Sequence, residues 1–274
     1  MSIGRRLLAA LALWAFAIPA VAQQIEVLWL GHAAFRITSV TGKVIVIDPF
    51  LTTNPRTPAK YKDLAALGKV DLILLTHGHR DHVYDASALA KLTGARVIAN
   101  YELAKSLVAA GLLDPATTPS GMNKGGTTYP LGPGIKIHMV PASHTSSVDM
   151  TELDHPEWKG PRLLEGGSPV GFVIELENGF RIYHTGDTDV FGDMALIGRR
   201  WKPDLALVCI GGYFTMDPEG AAFAAREYIK PKQIIPMHYG TFPVINTTPG
   251  ELKAALGNAP IKVIDAKPGE VLRF

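Results

Sequence analysis

The sequence predicts an α/β fold in which two β-sheets pack face to face and helices cover their outer sides. Short runs of β-branched and other apolar residues come in two batches along the chain, and helical patterns follow each batch. The apolar face of a sheet or helix must be buried against another element, and two sheets with helices outside them meet this requirement. No linker-like change of composition divides residues 23–274, so we predict a single domain there.

Local signals set the predicted boundaries of these elements. Thr41-Gly42 is a hairpin turn pair, and Gly94 and Gly111 stand where the first two helical patterns end. The predicted strands span 25–30, 34–40, 43–48, 71–75, 95–99, 134–140, 170–177, 180–185, 204–210, 232–236 and 261–265, and the predicted helices span 83–92, 102–110, 218–229 and 249–256. Two stretches rich in Gly, Pro, Ser and Thr, 111–133 and 145–168, are predicted to be irregular.

Residues 1–22 have the pattern of a secretory signal peptide. Arg5-Arg6 precedes an apolar stretch that ends at Ile18, and the small residues Ala20-Val21-Ala22 follow it. The apolar stretch is shorter than the roughly 20 residues that a membrane-spanning helix needs. We therefore predict cleavage after Ala22, export to the periplasm and no stable membrane insertion of the mature chain. A membrane anchor is the alternative.

The composition of the mature chain narrows its function. Without the two leader arginines, 25 basic residues balance 25 acidic ones, which argues against a nucleic-acid surface. The single cysteine, Cys209, cannot form an internal disulfide and lies in an apolar run, so we interpret it as a buried core thiol. A small molecule is the expected substrate. A homo-oligomer is compatible with the sequence, which marks no interface.

A dense cluster of candidate metal ligands follows the apolar run 70–75. His77-Gly78-His79-Arg80-Asp81-His82 holds four ligand side chains in six residues. The glycine lets the first two imidazoles turn towards one ion, and Asp81 and His82 then point to a second position. Catalytic zinc sites take about three protein ligands and leave a place for water, so four ligands this close suit two ions. The alternative is a polar loop that happens to be rich in histidine.

Three more candidate ligands stand where later predicted strands end. His144 follows strand 134–140, Asp187 follows 180–185 and His238 follows 232–236. A carboxylate at Asp187 could bridge two ions about 3.5 to 4 Å apart, although a helix N-cap or an Asx turn would also suit that position. For His144 the alternative is a loop histidine with satisfied hydrogen bonds.

Together these motifs resemble the signature of the metallo-β-lactamase superfamily, and in particular its UlaG-like metal-dependent hydrolases of the UPF0173 type. The matching segments, in the family's order, are Trp29-Leu30-Gly31-His32-Ala33, Ile47-Asp48-Pro49-Phe50, the 77–82 cluster, His184-Thr185-Gly186-Asp187-Thr188, Phe214-Thr215-Met216 and Met237-His238-Tyr239-Gly240-Thr241-Phe242-Pro243. The resemblance implies the four-layer αββα sandwich of the metallo-β-lactamase fold. It also implies one metal site of His77, His79 and His144, and a second of Asp81, His82 and His238.

Other polar residues are candidates for supporting roles. Asp48 could accept an N–H from a ligand histidine, or could simply end a strand before Pro49. We consider His32 and His184 as catalytic candidates that donate to an oxyanion or move a proton, with burial as hydrogen-bonded core residues as the alternative. His138 falls inside a predicted strand and is interpreted as structural.

The irregular stretch 145–168 begins directly after His144, so its side chains are expected to form a lid or substrate wall. The polar and aromatic residues concerned are Asp149, Asp154, His155, Glu157 and Trp158. For His155 alone, a solvated surface position is the preferred interpretation.

These features predict an exported hydrolase with two divalent metal ions. Zn²⁺ is expected, and Mn²⁺ or Fe²⁺ would suit the same histidine and carboxylate donors. A hydroxide bridging the ions would attack an ester-like bond, and Asp81 would orient it or carry its proton. Because lactonase activity is known among the relatives, the family resemblance implies a lactone or other carboxylic ester as the first expected substrate and a phosphodiester as the second. A β-lactamase, or a non-catalytic exported metal-binding protein of the same fold, is the alternative.

Overall fold

The computed structural model describes residues 24–118 and 120–274, so the predicted leader lies outside the described residues. The strands are β1 (Glu26–Gly31), β2 (Ala34–Thr38), β3 (Val44–Ile47), β4 (Leu72–Leu74), β5 (Arg96–Ile98), β6 (Thr127–Thr128), β7 (Lys136–Pro141), β8 (Ser147–Asp149), β9 (Leu163–Glu165), β10 (Val170–Glu175), β11 (Arg181–His184), β12 (Leu205–Cys209), β13 (Gln233–Met237), β14 (Lys262–Val263) and β15 (Val271–Arg273). The α-helices are α1 (Ala59–Lys62), α2 (Arg80–Val83), α3 (Ala86–Thr93), α4 (Tyr101–Ala109), α5 (Met194–Trp201), α6 (Pro218–Phe223) and α7 (Pro249–Leu256).

Two large sheets form the centre of the fold. One has six strands in the order β15-β1-β2-β3-β4-β5, and the other has seven in the order β14-β13-β12-β11-β10-β7-β6. Parallel pairing runs through β3, β4 and β5 in the first sheet and through β11, β12, β13 and β14 in the second. The carboxyl ends of parallel strands lie at one edge of a sheet, so the loops that follow them meet there.

The strands are apolar because most of them are buried on both faces. Every residue of β3 and β12 is buried, as expected for central strands covered on each side. One hydrophobic cluster fills the space between the sheets, where Phe35 contacts His184 edge to face, and continues under α5, α6 and α7. A second cluster packs α3 and α4 on the outer face of the six-stranded sheet. The fold is therefore the predicted four-layer sandwich.

Most predicted elements are confirmed, with shifted ends. The turn at Thr41-Gly42 is present, because the Gly42 N–H donates to the Ser39 carbonyl at 2.9 Å. The predicted helix 83–92 is instead two helices, α2 and α3. They separate at Asp85, whose carboxylate accepts from the backbone N–H groups of Leu51 and Thr52 rather than capping α3.

Other elements differ from the prediction. The predicted helix 218–229 is α6 followed by a π-helix, Ala224–Ile229. The stretch 145–168, predicted to be irregular, contains the hairpin of β8 and β9. The sequence patterns did not reveal α5 or β15, and β15 closes the edge of the first sheet beside β1. Within the described residues no helix is long and apolar enough to cross a membrane.

Candidate metal centre

The seven predicted metal ligands come together at one edge of the sandwich. His77 and His79 follow β4, and Asp81 and His82 lie in α2. His144, Asp187 and His238 follow β7, β11 and β13 respectively. Residues up to 161 positions apart in the sequence, from His77 to His238, therefore meet around one point, because the strands that precede them end at the same edge.

His77, His79 and His144 form the first group of donors. One ring nitrogen of each lies within 4.8 Å of the others. His77 Nε2 is 2.9 Å from His79 Nδ1, and the Thr76 hydroxyl lies 3.0 Å from His77 Nδ1 on the far side of the ring. The hydroxyl holds the ring so that Nε2 faces the other two histidines.

Asp81, His82 and His238 form the second group. Asp81 Oδ2 lies 3.9 Å from His82 Nε2 and 3.7 Å from His238 Nε2. Both rings are buried, whereas the Asp81 side chain remains 24 % exposed. His32 lies beside this group, and its Nε2 is 2.8 Å from Asp81 Oδ2.

The Asp187 carboxylate lies between the two groups. Its Oδ2 is 4.0 Å from His77 Nε2 and 3.8 Å from His144 Nε2 in the first group. In the second group it is 3.3 Å from His82 Nε2 and 2.9 Å from His238 Nε2. One oxygen atom is thus close to ring nitrogens from both groups.

Two glycines are needed for this arrangement. A Cβ atom at Gly78 would lie 2.9 Å from the Ser147 carbonyl oxygen and from Val148, so only glycine fits between His77 and His79 beneath β8. Gly186 has φ +62°, and a Cβ there would lie 2.5 Å from the Val170 carbonyl oxygen. Close backbone approach, as well as flexibility, therefore explains the glycines in both motifs.

The backbone is strained at three site residues. His32, Asp48 and His238 have φ values of 56°, 45° and 58°, in the left-handed region that side-chain-bearing residues rarely adopt. Such conformations cost of order 1 to 3 kcal/mol each and persist where the surrounding structure fixes them. Here they lie directly after β1, β3 and β13, where they turn polar side chains towards the centre.

The donor set fits divalent metal ions. Among the described residues, His82 Nε2, His238 Nε2 and Asp187 Oδ1 are buried polar atoms without a hydrogen-bond partner. Buried polar atoms are normally paired, so their convergence is the pattern expected of ligands. Imidazole nitrogens and carboxylate oxygens suit zinc, manganese and iron alike.

Burial and the close approach of imidazole and carboxylate groups also set the ionisation states in the metal-free protein. Burial disfavours the charged form of His82, but Asp187, Asp48 and Asp81 outweigh it and raise the pKa of His82 well above 6.5. Burial is likewise outweighed by Asp187 at His238, whose pKa is raised to about 9. Although burial alone would raise it, His238 and His82 hold the pKa of Asp187 well below its usual range. In the metal-free protein, the positive charges of protonated His82 and His238 therefore balance part of the negative charge of the neighbouring carboxylates.

Asp48 supports the second group from behind. Its Oδ2 accepts from His82 Nδ1 at 2.8 Å and from the Thr76 hydroxyl at 2.7 Å. Its Oδ1 accepts the Thr76 backbone N–H at 2.8 Å. This carboxylate leaves Nε2 of His82 as the nitrogen that faces Asp187, as the sequence analysis expected of a supporting aspartate.

His32 occupies a different place from the one expected of a catalytic residue. The ring is fully buried and does not line the cavity; its Nδ1 lies 2.9 Å from the Thr241 hydroxyl. Burial and the neighbouring His238 lower the pKa of His32 to about 4, so the ring is neutral at pH 7. The Asp81 carboxylate only accepts, so Nε2 carries the proton and Nδ1 accepts from Thr241. This geometry favours for His32 a role in positioning Asp81.

His184 lies behind the site and faces neither the ligands' centre nor the cavity. Its Nε2 donates to the Ala33 carbonyl at 3.0 Å, and its Nδ1 accepts the Gly186 N–H at 3.1 Å. Both ring nitrogens are used by backbone groups, and the ring is buried. These contacts favour the alternative considered for His184, a hydrogen-bonded core residue, over a catalytic role.

Cys209 and His138 have the structural positions that the sequence predicts. The Cys209 thiol is fully buried, and burial together with Asp187 raises its pKa to about 12, so it is protonated at neutral pH. His138 Nδ1 pairs with the Thr127 hydroxyl at 2.8 Å within the second sheet, away from the ligands.

A cavity of about 410 Å³ opens above the ligands. It is lined by His79, Arg80, Asp81, His144, Thr145, Glu152, Asp187, Phe214, His238 and Phe242. The segment 145–168 contributes only Thr145 and Glu152 to this lining.

The five residues expected to form a lid or substrate wall do not line the cavity. Asp149 pairs with Arg162 at 2.7 Å, and His155 pairs with Glu157. The prediction of a wall built from Asp149, Asp154, His155, Glu157 and Trp158 is therefore wrong, because none of them lines the cavity. All except Asp154 form hydrogen bonds within their own hairpin and loop.

Three residues near the centre were not singled out from the sequence. Arg80 stands inside the ligand motif, Thr241 lies three positions after His238, and Thr76 precedes His77. Each lies within or directly beside a motif that matches the family, and this position was the sequence signal that could have identified it. Their partners, however, come from distant segments: Arg80 bonds the Thr53 hydroxyl and the Glu152 carbonyl.

Comparison with known proteins decides the family. The model of the β-lactamase superfamily domain matches residues 43–239, a range that includes all seven candidate ligands and ends one residue after His238. The chain belongs to the β-lactamase superfamily. A UPF0173 metal-dependent hydrolase of Cupriavidus necator is 52 % identical over 251 residues, which are 91 % of this chain and 86 % of that protein.

Solved structures place this superfamily member among metallo-hydrolases. Igni18, a metallo hydrolase from the archaeon Ignicoccus hospitalis, is 33 % identical with a TM-score of 0.76, over 92 % of this chain and 99 % of that one. The metallo-β-lactamase fold protein YhfI of Bacillus subtilis has a TM-score of 0.65 over 92 % of this chain and all of that one, and at 14 % identity it shows the fold alone. The chain is thus a metal-dependent hydrolase with the metallo-β-lactamase fold.

The link from Thr241 through His32 to Asp81 predicts a matched pair of variants. Thr241→Val removes the hydroxyl that His32 Nδ1 accepts from, so Asp81 loses its fixed orientation and metal affinity falls roughly 10- to 100-fold. Thr241→Ser keeps the hydroxyl and retains near-wild-type affinity. Chelator competition with Zn²⁺ measures both variants, and equal affinity of the valine and serine proteins would refute the link.

The raised pKa values of His82 and His238 predict proton-coupled metal binding. Both groups are protonated in the metal-free protein below their folded pKa, so an ion must displace these protons. Affinity for Zn²⁺ should therefore rise as pH increases from about 6.5 towards 9. Titration calorimetry in buffers of different ionisation enthalpy should detect proton release at pH 7. Binding without proton release would contradict these pKa directions.

Proposed function

We propose that this metal-dependent hydrolase is an exported enzyme that holds two divalent ions and cleaves an ester-like bond. The observation that carries the proposal is the position of Asp187 Oδ2, within 4.0 Å of four ring nitrogens from two separate groups of ligands. A carboxylate placed between two three-ligand groups is the arrangement that a bridged pair of ions needs. His77, His79 and His144 would hold one ion, and Asp81, His82 and His238 the other.

Zinc is the proposed metal, with manganese or iron as substitutes. The groups offer mainly imidazole nitrogen, and three protein donors for each ion match catalytic zinc centres. When bound, two such ions lower the pKa of a shared water and polarise the scissile oxygen.

Among the described residues that line the cavity, Thr145 carries the only hydroxyl group and no thiol is present. The buried Cys209 thiol is protonated. Water is therefore the proposed nucleophile. Asp81 lines the cavity, and its carboxylate is fixed by His32, so it can take a proton from water and deliver it to the leaving group.

The cavity walls favour a carboxylic ester or lactone over a phosphodiester. The apolar side chains that line the cavity are those of Phe214 and Phe242, and Phe214 is 51 % exposed. An apolar wall suits the hydrocarbon part of an acyl group, whereas a phosphodiester brings a second charged, strongly hydrated region. A phosphodiester remains the second proposed substrate.

Export is proposed on sequence grounds. The basic start, the short apolar stretch and the small residues before residue 23 form a signal-peptide pattern. The periplasm is the proposed location.

Hydrolysis by matched aspartate variants tests this function. The metal-loaded protein should hydrolyse a lactone or carboxylic ester, and Asp187→Asn should lose at least about 100-fold in kcat/KM, because the carboxylate between the ligand groups is gone. Asp189→Asn is the control: its side chain is exposed, accepts only the Val190 N–H and does not line the cavity.

The assay panel contains a lactone, a carboxylic ester, a phosphodiester and a β-lactam. Turnover confined to the phosphodiester or the β-lactam would overturn the proposed bond. Equal loss of activity in the two aspartate variants would overturn the role of Asp187.

A further inference from the structure

Arg80 is a cation at the cavity wall whose side chain is already held in place. Its Nε donates to the Glu152 carbonyl at 3.0 Å, and its Nη2 donates to the Thr53 hydroxyl at 3.1 Å. The guanidinium carbon lies 4.6 Å from the Tyr84 ring centroid and 5.4 Å from that of Phe50. Two hydrogen bonds and two aromatic rings therefore fix the guanidinium before any ligand arrives.

Some N–H groups of the Arg80 guanidinium remain without a partner in these contacts. A guanidinium has five N–H groups, and the two bonds described use Nε and one on Nη2. The remaining N–H groups include one on each of Nη1 and Nη2, a fork that fits both oxygens of a carboxylate. Among the described residues no carboxylate lies within 4.0 Å of Arg80, and the Glu152 side chain, which shares the cavity wall, is exposed and makes no ion pair with it.

The position of Arg80 relates these donors to the proposed reaction. In the sequence Arg80 stands between His79 of the first ligand group and Asp81 of the second. It is the only lysine or arginine among the described residues that line the cavity. The aromatic side chains of Phe214 and Phe242 also line this cavity. The cavity thus combines metal ligands, a fixed cation and a hydrocarbon-binding surface.

We propose that Arg80 determines specificity by binding a carboxylate on the substrate, so that the preferred ester or lactone carries a free carboxylate separated from the scissile bond by a short hydrocarbon chain. This inference rests on the proposed function, since the scissile group is taken to lie at the metal ligands. Charge-assisted hydrogen bonds of this kind change affinity by roughly tenfold or more.

The test compares dicarboxylates with monocarboxylates as product-like ligands of the zinc-loaded protein. Each ligand has one carboxylate for the metal centre, and only the dicarboxylate has a second for Arg80. Titration calorimetry of succinate, glutarate and adipate is compared with that of butyrate, valerate and hexanoate. At least one dicarboxylate should bind roughly tenfold more tightly than its partner of equal length.

Arg80→Gln should bring this ratio to about one while leaving monocarboxylate affinity within about twofold. Arg80→Lys keeps a point charge without the fork and should give an intermediate ratio. Arg199→Gln, an exposed change on α5, should leave the ratio as in the wild type. If Arg80 only ties the loops of Thr53 and Glu152 together, its loss would weaken both ligand classes equally, and that result overturns the proposal.

A ratio of about one in the wild-type protein overturns the proposal without any variant. If Arg80→Gln does not fold, the Arg80→Lys ratio decides: an unchanged wild-type ratio refutes recognition by the fork, and a reduced one supports it. The binding result is independent of turnover. A protein with the expected ratio that hydrolyses no ester would refute the proposed function and leave the carboxylate site standing.

Discussion

The burial of the Asp187 carboxylate is the constraint on which the rest of the site depends. The side chain is only 3 % exposed, and an ionised carboxylate in a protein interior is costly unless positive or hydrogen-bonding groups surround it. Four imidazole nitrogens supply that surrounding within 4.0 Å. For two of these rings the orientation is set from behind: the Thr76 hydroxyl bonds the opposite nitrogen of His77, and the Asp48 carboxylate bonds that of His82.

Both sheets contribute to this surrounding. His77 and His82 follow strand β4 of the first sheet, and Asp187 and His238 follow strands β11 and β13 of the second. The His32 carbonyl accepts from the His238 backbone N–H at 3.1 Å, which joins the end of β1 to the end of β13. Metal binding would therefore hold the two halves of the sandwich together at this edge, in addition to the hydrophobic core between them.

Much of this arrangement could be predicted from the sequence, because ligands at the ends of apolar strands leave a local pattern. The orientation of a histidine ring leaves no such pattern in the sequence. His32 and His184 both lie at strand ends, yet His32 bonds Asp81 and His184 bonds backbone groups. Contacts between distant segments are equally hidden, and Arg80 reaches Glu152, which is 72 positions away. Short elements such as β15 depend on a partner strand rather than on their own pattern.

The central claim is that one carboxylate serves two metal ions, and anomalous diffraction from crystals of the zinc-loaded protein tests it directly. Data collected on either side of the zinc absorption edge locate each ion without assumptions about the ligands. The account predicts two peaks about 3.5 to 4 Å apart with Asp187 bound to both. A single peak in fully loaded crystals, or two peaks of which only one is bound by Asp187, would contradict it.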